Sequence, residues 1–286
     1  MSNKLTLVWN RKMDASWQVD WIEYLFRNIP HDTVENTDHN LFYDNSIIID
    51  TIRWAPHHNE YIYKLSEKGY KFALYDLSDE LLNSPIDTYS NAMFVLRELY
   101  RPHMPDHVLQ IPCGYNTGFA SISDNPVSQQ RSYTWSFVGN RMDATREKMK
   151  TNMSNVDHGY FYSGTDHEMK TITPVEMSKI YRNSKFIPCP HGWFIIDTFR
   201  VTEALEAGAI PIVETSDYWQ NLYGEVPPFI QIDDWNDATT IVNSLLNNPE
   251  QLEELRLSCY NWWCTVKEDA TVAVESLAEQ MLDHVL

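Results

Sequence analysis

The sequence alternates short runs of β-forming residues with stretches whose apolar residues recur at helical spacing. Strands that alternate with helices fold into parallel sheets, because parallel neighbours can be joined only by a long crossover connection. In the first half the predicted strands are 5–9, 46–50, 70–75 and 108–112, and the predicted helices are 17–27, 58–68 and 87–99. This rhythm predicts an α/β unit built around a parallel sheet.

The same alternation restarts after residues 118–131, which are rich in Ser, Asn, Asp, Gln and Pro and are typical of a linker. We therefore predict two domains, 1–128 and 129–286. In the second half the predicted strands are 133–138, near 159, near 185 and 209–213, and the predicted helices are 143–153, 197–207 and 249–286, the last with a break near Trp262.

Composition excludes several classes of protein. The 286 residues carry 40 Asp and Glu against 22 Lys and Arg, a net charge of −18 that disfavours nucleic acid as a partner. Hydrophobic residues at 43% and aromatic residues at 13% exclude a disordered acidic tail. No membrane span or signal peptide is recognised, and four irregularly spaced cysteines fit reduced thiols. We expect a cytoplasmic protein.

The richest loop in the chain leads from Pro188 through His191 into the helix predicted at 197–207. Unsatisfied N–H groups at a helix N-terminus suit a phosphate, and Arg200 adds a forked cationic donor one turn further on. Glu203 offers a carboxylate that can accept hydrogen bonds from vicinal hydroxyls. This spacing indicates a nucleotide or nucleotide-sugar site. The alternative is structural: Arg200 and Glu203 form a helical i,i+3 pair, and Asp197 caps the helix.

Two segments, 197–213 and 136–141, resemble the donor-site signature and the phosphate-side loop of the exostosin-like glycosyltransferases. The resemblance is specific over about 133–213 and weak in the first half, where residues 75–80 are similar to compact members from large DNA viruses and microbes. It implies the GT-B arrangement, in which two Rossmann-like domains face each other across a cleft. The N-terminal domain would then hold the acceptor and the C-terminal domain the donor, with the last helix packing back on the first domain.

The resemblance also implies site residues in the donor domain. Arg141 and Arg200 would contact the diphosphate, and Glu203 the ribose. His191 is a candidate for the diphosphate or the sugar, or a loop residue with a satisfied hydrogen bond. The complete predicted donor set is Gly139, Asn140, Arg141, Pro190, His191, Asp197, Thr198, Arg200 and Glu203.

An inverting transfer, which the resemblance implies, needs a base that takes the proton of the acceptor hydroxyl. Asp79, directly after the strand at 70–75, is the first candidate, with Glu80 and Asp76 close to it, and Asp14 is the rival. The alternative is that residues 78–80 form only a helix cap and first turn. Predicted acceptor contacts are Trp17, which can stack on a sugar, together with His57 and Glu80. If neither aspartate is the base, His57 and His58 are next.

The sequence thus predicts an inverting glycosyltransferase that moves a sugar from UDP, with xylose preferred, to a hydroxyl of an acceptor glycan. The family resemblance implies no metal cofactor, and no convincing Asp-x-Asp motif is present; Asp233 and Asp234 are better explained as a helix cap. Two alternatives remain open: a nucleotide-sugar epimerase on the same scaffold, and a non-catalytic glycan- or nucleotide-binding module.

Overall fold

The structure is a computed structural model of the chain. It describes residues 4–12, 18–50, 56–77, 79–121, 126, 130–140, 143–164, 172–192 and 194–283. Contacts divide the chain into unit 1, which comprises Met1–Cys113 and Lys267–Leu286, and unit 2, which comprises Gly114–Val266. This division falls earlier in the chain than the boundary predicted at 128/129.

Unit 1 is built on a six-stranded sheet with the order β2-β1-β3-β4-β5-β6, and every pairing is parallel. Its strands are β1 (Leu5–Trp9), β2 (His31–Glu35), β3 (Ser46–Asp50), β4 (Phe72–Asp76), β5 (Val95–Glu98) and β6 (Val108–Ile111). All residues of the central strands β3, β4 and β5 are buried, as expected for parallel strands covered on both faces.

Two helices and a 3₁₀ turn accompany this sheet. They are α1 (Val19–Leu25), α2 (Pro56–Glu67) and the 3₁₀ turn Ile86–Asn91. Helix α2 buries Tyr61, Ile62 and Leu65 in one apolar cluster with residues of β1, β3, β4 and β5. One apolar cluster of unit 1 therefore lies between α2 and the sheet, and α1 buries Trp21, Ile22 and Leu25 as well.

A buried ion network lies at the carboxyl end of β4. Arg97 of β5 donates from Nη1 to Asp76 at 2.9 Å and from Nη2 to Asp79 at 2.7 Å, and all three side chains are fully excluded from solvent. Tyr89 accepts from Arg97 and donates to Asp76. Burial raises the pKa of Asp76 to about 6. Burial acts in the same direction on Asp79, but hydrogen bonds from Ser84 N–H and Arg97 hold the pKa of Asp79 below its usual range.

Unit 2 is built on a five-stranded parallel sheet with the order β11-β10-β9-β7-β8. Its strands are β7 (Tyr133–Asn140), β8 (Gly159–Gly164), β9 (Ser184–Pro188), β10 (Ile210–Glu214) and β11 (Ile230–Ile232). The helices between and after them are α3 (Ala144–Met153), α4 (Pro174–Arg182), α5 (Phe199–Glu206), α6 (Asp217–Tyr223) and α7 (Trp235–Leu246).

Four of these helices begin at a side chain that accepts a hydrogen bond from the first turn. The caps are Asp143 for α3, Thr173 with Glu176 for α4, Ser216 for α6 and Asp234 for α7. The prediction that Asp234 belongs to a helix cap is thus confirmed. In α5, by contrast, the N-cap residue Thr198 makes no side-chain capping bond. Val201 N–H donates to the carbonyl of Thr198 at 3.0 Å, and without a side-chain cap the N–H groups before it stay available to another partner.

The last helix, α8 (Pro249–Asp283), is continuous. The predicted break near Trp262 is wrong because the segment contains no Gly or Pro after Pro249. Its two tryptophans hydrogen-bond to separate partners, Trp262 to Glu225 and Trp263 to Glu206. No helix in the described part of the chain is long and apolar enough to cross a membrane.

Most predicted elements are confirmed, and two differences have clear causes. The helix predicted at 87–99 is wrong: the segment holds a 3₁₀ turn and then β5, whose Arg97 and Glu98 resembled the polar face of a helix but are buried. Strand β2 was missed because it is a polar edge strand that pairs only with β1. Helix α4, preceded by residues outside the described ranges, was not predicted either.

We expect Arg97→Met to lower the free energy of unfolding by about 3–5 kcal/mol at neutral pH, because two carboxylates lose their buried partner. In the wild type the lowered pKa of Asp79 gives stability that is present at neutral pH and lost on acidification. The variant lacks this term, so its deficit should stay constant down to about pH 4 and shrink as the pH falls below the ordinary aspartate pKa of 3.8. Urea unfolding at several pH values measures this.

Lys64→Met is the matched control, because Lys64 pairs with Glu60 at 2.8 Å on the surface. An exposed pair contributes about 0–1 kcal/mol. Equal losses for the two variants, or a loss for Arg97→Met that does not change with pH, would contradict a structural role for the buried network.

Candidate functional site

The carboxyl ends of β7, β9 and β10 lie at the same edge of the unit 2 sheet, because these neighbouring strands are parallel. Ligands of open parallel sheets bind at this edge. The predicted donor residues all follow or end one of these strands. Unit 2 therefore brings its described members to one side of one sheet.

Backbone hydrogen bonds hold the segment between β9 and α5 in place. Cys189 N–H donates to Ile212 of β10 at 2.8 Å, which prolongs the strand pairing, and Gly192 N–H donates to Ile195 at 2.8 Å, which closes a turn. The segment then reaches Thr198, whose Oγ1 is buried without a hydrogen-bond partner among the described residues. The chain thus enters α5 with an unused hydroxyl at the helix start.

Arg200 lies in the first turn of α5 and is 9% exposed. Its Cζ lies 4.7 Å from the centroid of the Phe137 ring, and its Nε is 3.4 Å from the carbonyl oxygen of Val138. Within the described part of the chain its Nη1 has no hydrogen-bond partner. Burying a cationic donor without a partner raises the free energy of the folded protein. An anionic ligand at this position would remove that cost. Sequence reasoning missed Phe137 as its support, although the residue lies in the segment that carried the resemblance.

Gly139 lets this guanidinium approach β7 closely. A Cβ atom at this position would lie 3.0 Å from Arg200 Nη2 and 2.8 Å from Phe137 Cζ. Both distances are shorter than ordinary van der Waals contacts. A side chain here would displace the arginine, the ring or both. Two further predicted residues follow Gly139. The side chain of Asn140 and the whole of Arg141 lie outside the described parts of the chain.

Glu203 is buried one turn further along α5 and is held by Asn116. The side-chain amide of Asn116 donates to Glu203 Oε1 at 2.7 Å, and its backbone N–H donates to the same oxygen at 3.3 Å. Burial raises the pKa of Glu203, while these hydrogen bonds and Arg200 act against the rise. Arg200 and Glu203 form no direct ion pair, but the charge of Arg200 acts to lower the pKa of Glu203, so the helical-pair alternative stays open.

The remaining donor candidates are positioned by neighbouring loops. Asp197 is buried, and its Oδ2 accepts from Tyr218 of α6 at 3.0 Å. Pro190 is buried, and His191 next to it is half-buried and hydrogen-bonded to Glu214 at the end of β10. His191 is therefore a loop residue with a satisfied hydrogen bond, one of the two roles predicted for it. Its partner Glu214 was not predicted.

The carboxylate of the candidate base Asp79 already accepts three hydrogen bonds. Its Oδ1 accepts from Asn83 N–H, and its Oδ2 accepts from Ser84 N–H at 3.0 Å and from Arg97. A fully buried carboxylate with a lowered pKa is a poor proton acceptor. This geometry argues against Asp79 as the base and agrees with a structural role in the turn after β4.

The other predicted residues of unit 1 remain predictions. Glu80 is exposed. Asp76 accepts hydrogen bonds from Arg97 and Tyr89. Asp14 and Trp17 lie outside the described residues, as do the side chains of His57 and His58, whose backbones belong to α2.

Unit 1 also has a polar strand edge that sequence reasoning missed. Asn10, after β1, donates to Asp50 at the end of β3 at 2.8 Å, and Gln18 donates to Glu98 at the end of β5 at 2.6 Å. Nearby is a cavity of about 520 Å³. It is lined by Asn10, Arg11, Lys12, Thr37, Asp38, His39, Glu60, Tyr61 and Lys64. An acidic residue that ends a buried strand was the sequence signal for this edge.

Within the described ranges, no three His, Cys, Asp or Glu side chains are grouped so that they could hold a metal ion.

Comparison with solved structures identifies the fold. An α1,3-fucosyltransferase aligns with a TM-score of 0.57 and 12% identity over 98% of this chain and 90% of that chain. A DNA-modifying β-glucosyltransferase, solved with and without uridine diphosphoglucose, aligns with a TM-score of 0.55 and 11% identity over 98% and 99%. Anabaena Alr3699/HepE in complex with UDP aligns with a TM-score of 0.52 and 9% identity over 99% of each chain. The chain has the α/β fold of the GT-B glycosyltransferases.

The family follows from the sequence match. The family model described as the Exostosin GT47 domain matches residues 79–256, more than half of the chain. The chain therefore belongs to the exostosin GT47 glycosyltransferases, as the resemblance indicated. A search of curated proteins finds no matching relative.

We expect Gly139→Ala to weaken the binding of inorganic pyrophosphate to unit 2 by about tenfold, because the new methyl group displaces the Arg200 guanidinium. Overpacking of this kind costs roughly 1–3 kcal/mol. Isothermal titration calorimetry measures the affinity. Gly224→Ala is the control, because a Cβ there meets nothing within 4 Å and the positive φ of 75° affects stability alone. Equal affinities for wild type and Gly139→Ala would remove Gly139 from the site.

Proposed function

We propose that the protein transfers a sugar from a nucleoside diphosphate, UDP first, to a hydroxyl group of an acceptor glycan, with inversion at the anomeric carbon. The observation that carries this proposal is Arg200: a buried guanidinium with an unpartnered Nη1, in the first turn of a helix whose N-cap side chain makes no capping bond. A diphosphate would supply the missing acceptors to both groups.

The diphosphate is also the leaving group of the reaction. Negative charge grows on its oxygens as the bond to the sugar breaks, so a fixed cation at this position stabilises the transition state more than the ground state. Arg200 is already held by Phe137 and Val138, and it needs little reorganisation to act. We assign the charge neutralisation to Arg200, Arg141 and the start of α5, without a metal ion.

The nucleoside is assigned to Glu203. Asn116 occupies Oε1, and no hydrogen bond from a described residue reaches Oε2. That second oxygen is the one we expect to accept from a ribose hydroxyl. Xylose remains the first sugar to try, and the acceptor glycan is assigned to the polar cavity of unit 1, whose mixed amide, hydroxyl and charged groups suit carbohydrate hydroxyls.

Product analysis separates this function from its alternatives. UDP-sugars are incubated with and without a panel of acceptor glycans, and UDP release and sugar products are measured. Donor consumption only with an acceptor supports transfer, whereas isomerised donor without an acceptor supports an epimerase. Binding without turnover under all conditions supports a binding module. The anomeric configuration of the product, determined by NMR, tests inversion, and activity retained in chelator tests metal independence.

We expect Arg200→Met to reduce the affinity for UDP by more than tenfold while the protein stays folded. Methionine keeps the apolar packing on Phe137 but removes the guanidinium, and a charged hydrogen bond contributes roughly 1.5–3 kcal/mol. Calorimetric titration with UDP measures the loss. Arg101→Met removes an arginine of unit 1 and should leave UDP affinity unchanged; unchanged affinity in Arg200→Met would refute the donor site.

For the base, Asp79 is set aside on its contacts and Asp14 is our proposal. Asp14→Asn should lower turnover by about 10²–10⁴ and leave UDP affinity near that of the wild type. Asp79→Asn should instead lower stability, because it removes the negative partner of Arg97. Steady-state kinetics and urea unfolding of both variants distinguish the roles. Full turnover in Asp14→Asn would move the assignment to His57 or His58.

A further inference from the structure

Three N–H groups converge on the carboxylate of Glu214 at the end of β10. The backbone N–H of His191 lies 3.1 Å and its ring Nδ1 lies 3.0 Å from Glu214 Oε2, and Trp235 Nε1 donates to Glu214 Oε1 at 2.8 Å. The Nε1 of Trp219 donates to the backbone carbonyl of the same glutamate at 3.1 Å. The glutamate is therefore fixed at both ends.

This arrangement decides where the histidine carries its proton. An ionised carboxylate can only accept hydrogen bonds, so the ring nitrogen that faces it must be the protonated one. Glu214 therefore holds the proton of His191 on Nδ1. The other nitrogen, Nε2, is left for a different partner, and the ring is 40% exposed, so a ligand can reach it.

We propose that Glu214 is a positioning residue for the donor: it fixes the His191 ring so that Nε2 contacts the diphosphate. The proposal rests on the proposed function and extends it to a residue with no assigned role. His191 belongs to the segment that leads from β9 to Thr198 and Arg200, where the diphosphate is expected. When the diphosphate binds, Nε2 takes up a proton from solvent and donates it in a hydrogen bond to a phosphate oxygen, while Nδ1 keeps its bond to Glu214.

A protonated ring between two anions is favoured by both of them. The Arg200 guanidinium adds a second positive group to the same proposed anion site. Trp235 carries no charge, and Asp234 before it pairs with Lys148 at 2.6 Å. The described segments 189–192, 194–198, 214–217 and 233–235, which end or follow β9, β10 and β11, carry the titratable residues Cys189, His191, Asp197, Glu214, Asp217, Asp233 and Asp234.

Calorimetric titration with UDP and with GDP tests the coupling between the two residues. Glu214→Gln offers one acceptor oxygen to three N–H groups, so it should weaken nucleotide binding roughly threefold to tenfold. His191→Asn, which removes Nε2, should weaken it to a similar degree, and the double variant should be no weaker than His191→Asn alone. His191→Gln, which keeps an N–H donor near the place of Nε2, should retain more affinity than His191→Asn. Glu250→Gln, an exposed glutamate of unit 2, is the matched control and should behave as the wild type.

Nitrogen-15 NMR of the histidine side chains gives the readout that a merely structural role would not move. The His191 signals are identified by their loss in His191→Asn. The free protein should show a proton on Nδ1, nucleotide should add one on Nε2, and Glu214→Gln should abolish the preference for Nδ1.

Two results would overturn the proposal: a ring protonated on Nε2 in the free protein, or equal losses from Glu214→Gln with and without His191. If the wild type binds no nucleotide, the donor assignment and the proposed function fail together. A proton on Nδ1 in the free protein would in that case leave only a local structural role for Glu214. If nucleotide binds and Arg200→Met weakens it but Nε2 is unaffected, the proposed function stands and this inference fails.

Discussion

The parallel pairing of the strands is the constraint on which the rest of each unit depends. Because both faces of a parallel sheet are covered, its central strands are buried throughout, as β3, β4 and β5 are in unit 1. Polar chemistry is thereby pushed to the strand ends. In unit 2 the same constraint brings Gly139, His191 and Glu214 to one edge, although β7, β9 and β10 are far apart in sequence.

Two of the buried arginines, Arg97 and Arg200, differ in the partners that the fold gives them. Arg97 directs both terminal nitrogens at carboxylates, and its network closes on itself within unit 1. Arg200 contacts the face of the Phe137 ring and the carbonyl of Val138, and it acts on the Tyr181 hydroxyl, but no carboxylate of the described residues forms an ion pair with it. Burial costs both guanidiniums their hydration. Arg97 recovers part of that cost from two carboxylates, although its Nε has no hydrogen-bond partner among the described residues, whereas Arg200 forms no ion pair with a described carboxylate. A cation that the fold leaves uncompensated is the one that an anionic ligand can stabilise.

Local helices and strands could be predicted from the sequence, whereas contacts between residues far apart in the chain could not. The segment 197–213 could be assigned because its helix and the strand after it are short, apolar on one side and bounded by Gly208. Asp79 was assigned to catalysis because its position after a strand is visible, whereas its pairing with Arg97 depends on β5, which was itself predicted to be helical. The partner of His191 was missed for the same reason: Glu214 lies on the neighbouring strand, and only the sheet order brings the two together.

These differences follow one physical rule. A charged residue in a sequence looks solvated by default, yet β5 buries Arg97 and Glu98, and α5 buries Arg200 and Glu203. Each of these burials needs a partner supplied from another element: Asp76 and Asp79, Gln18, Asn116, or, for Arg200, a ligand. A native state gains stability from whatever binds it and not the unfolded chain. The unsatisfied polar atoms of Thr198 and Arg200 at the start of α5 are therefore a cost to the free protein that a ligand bound at this position would remove.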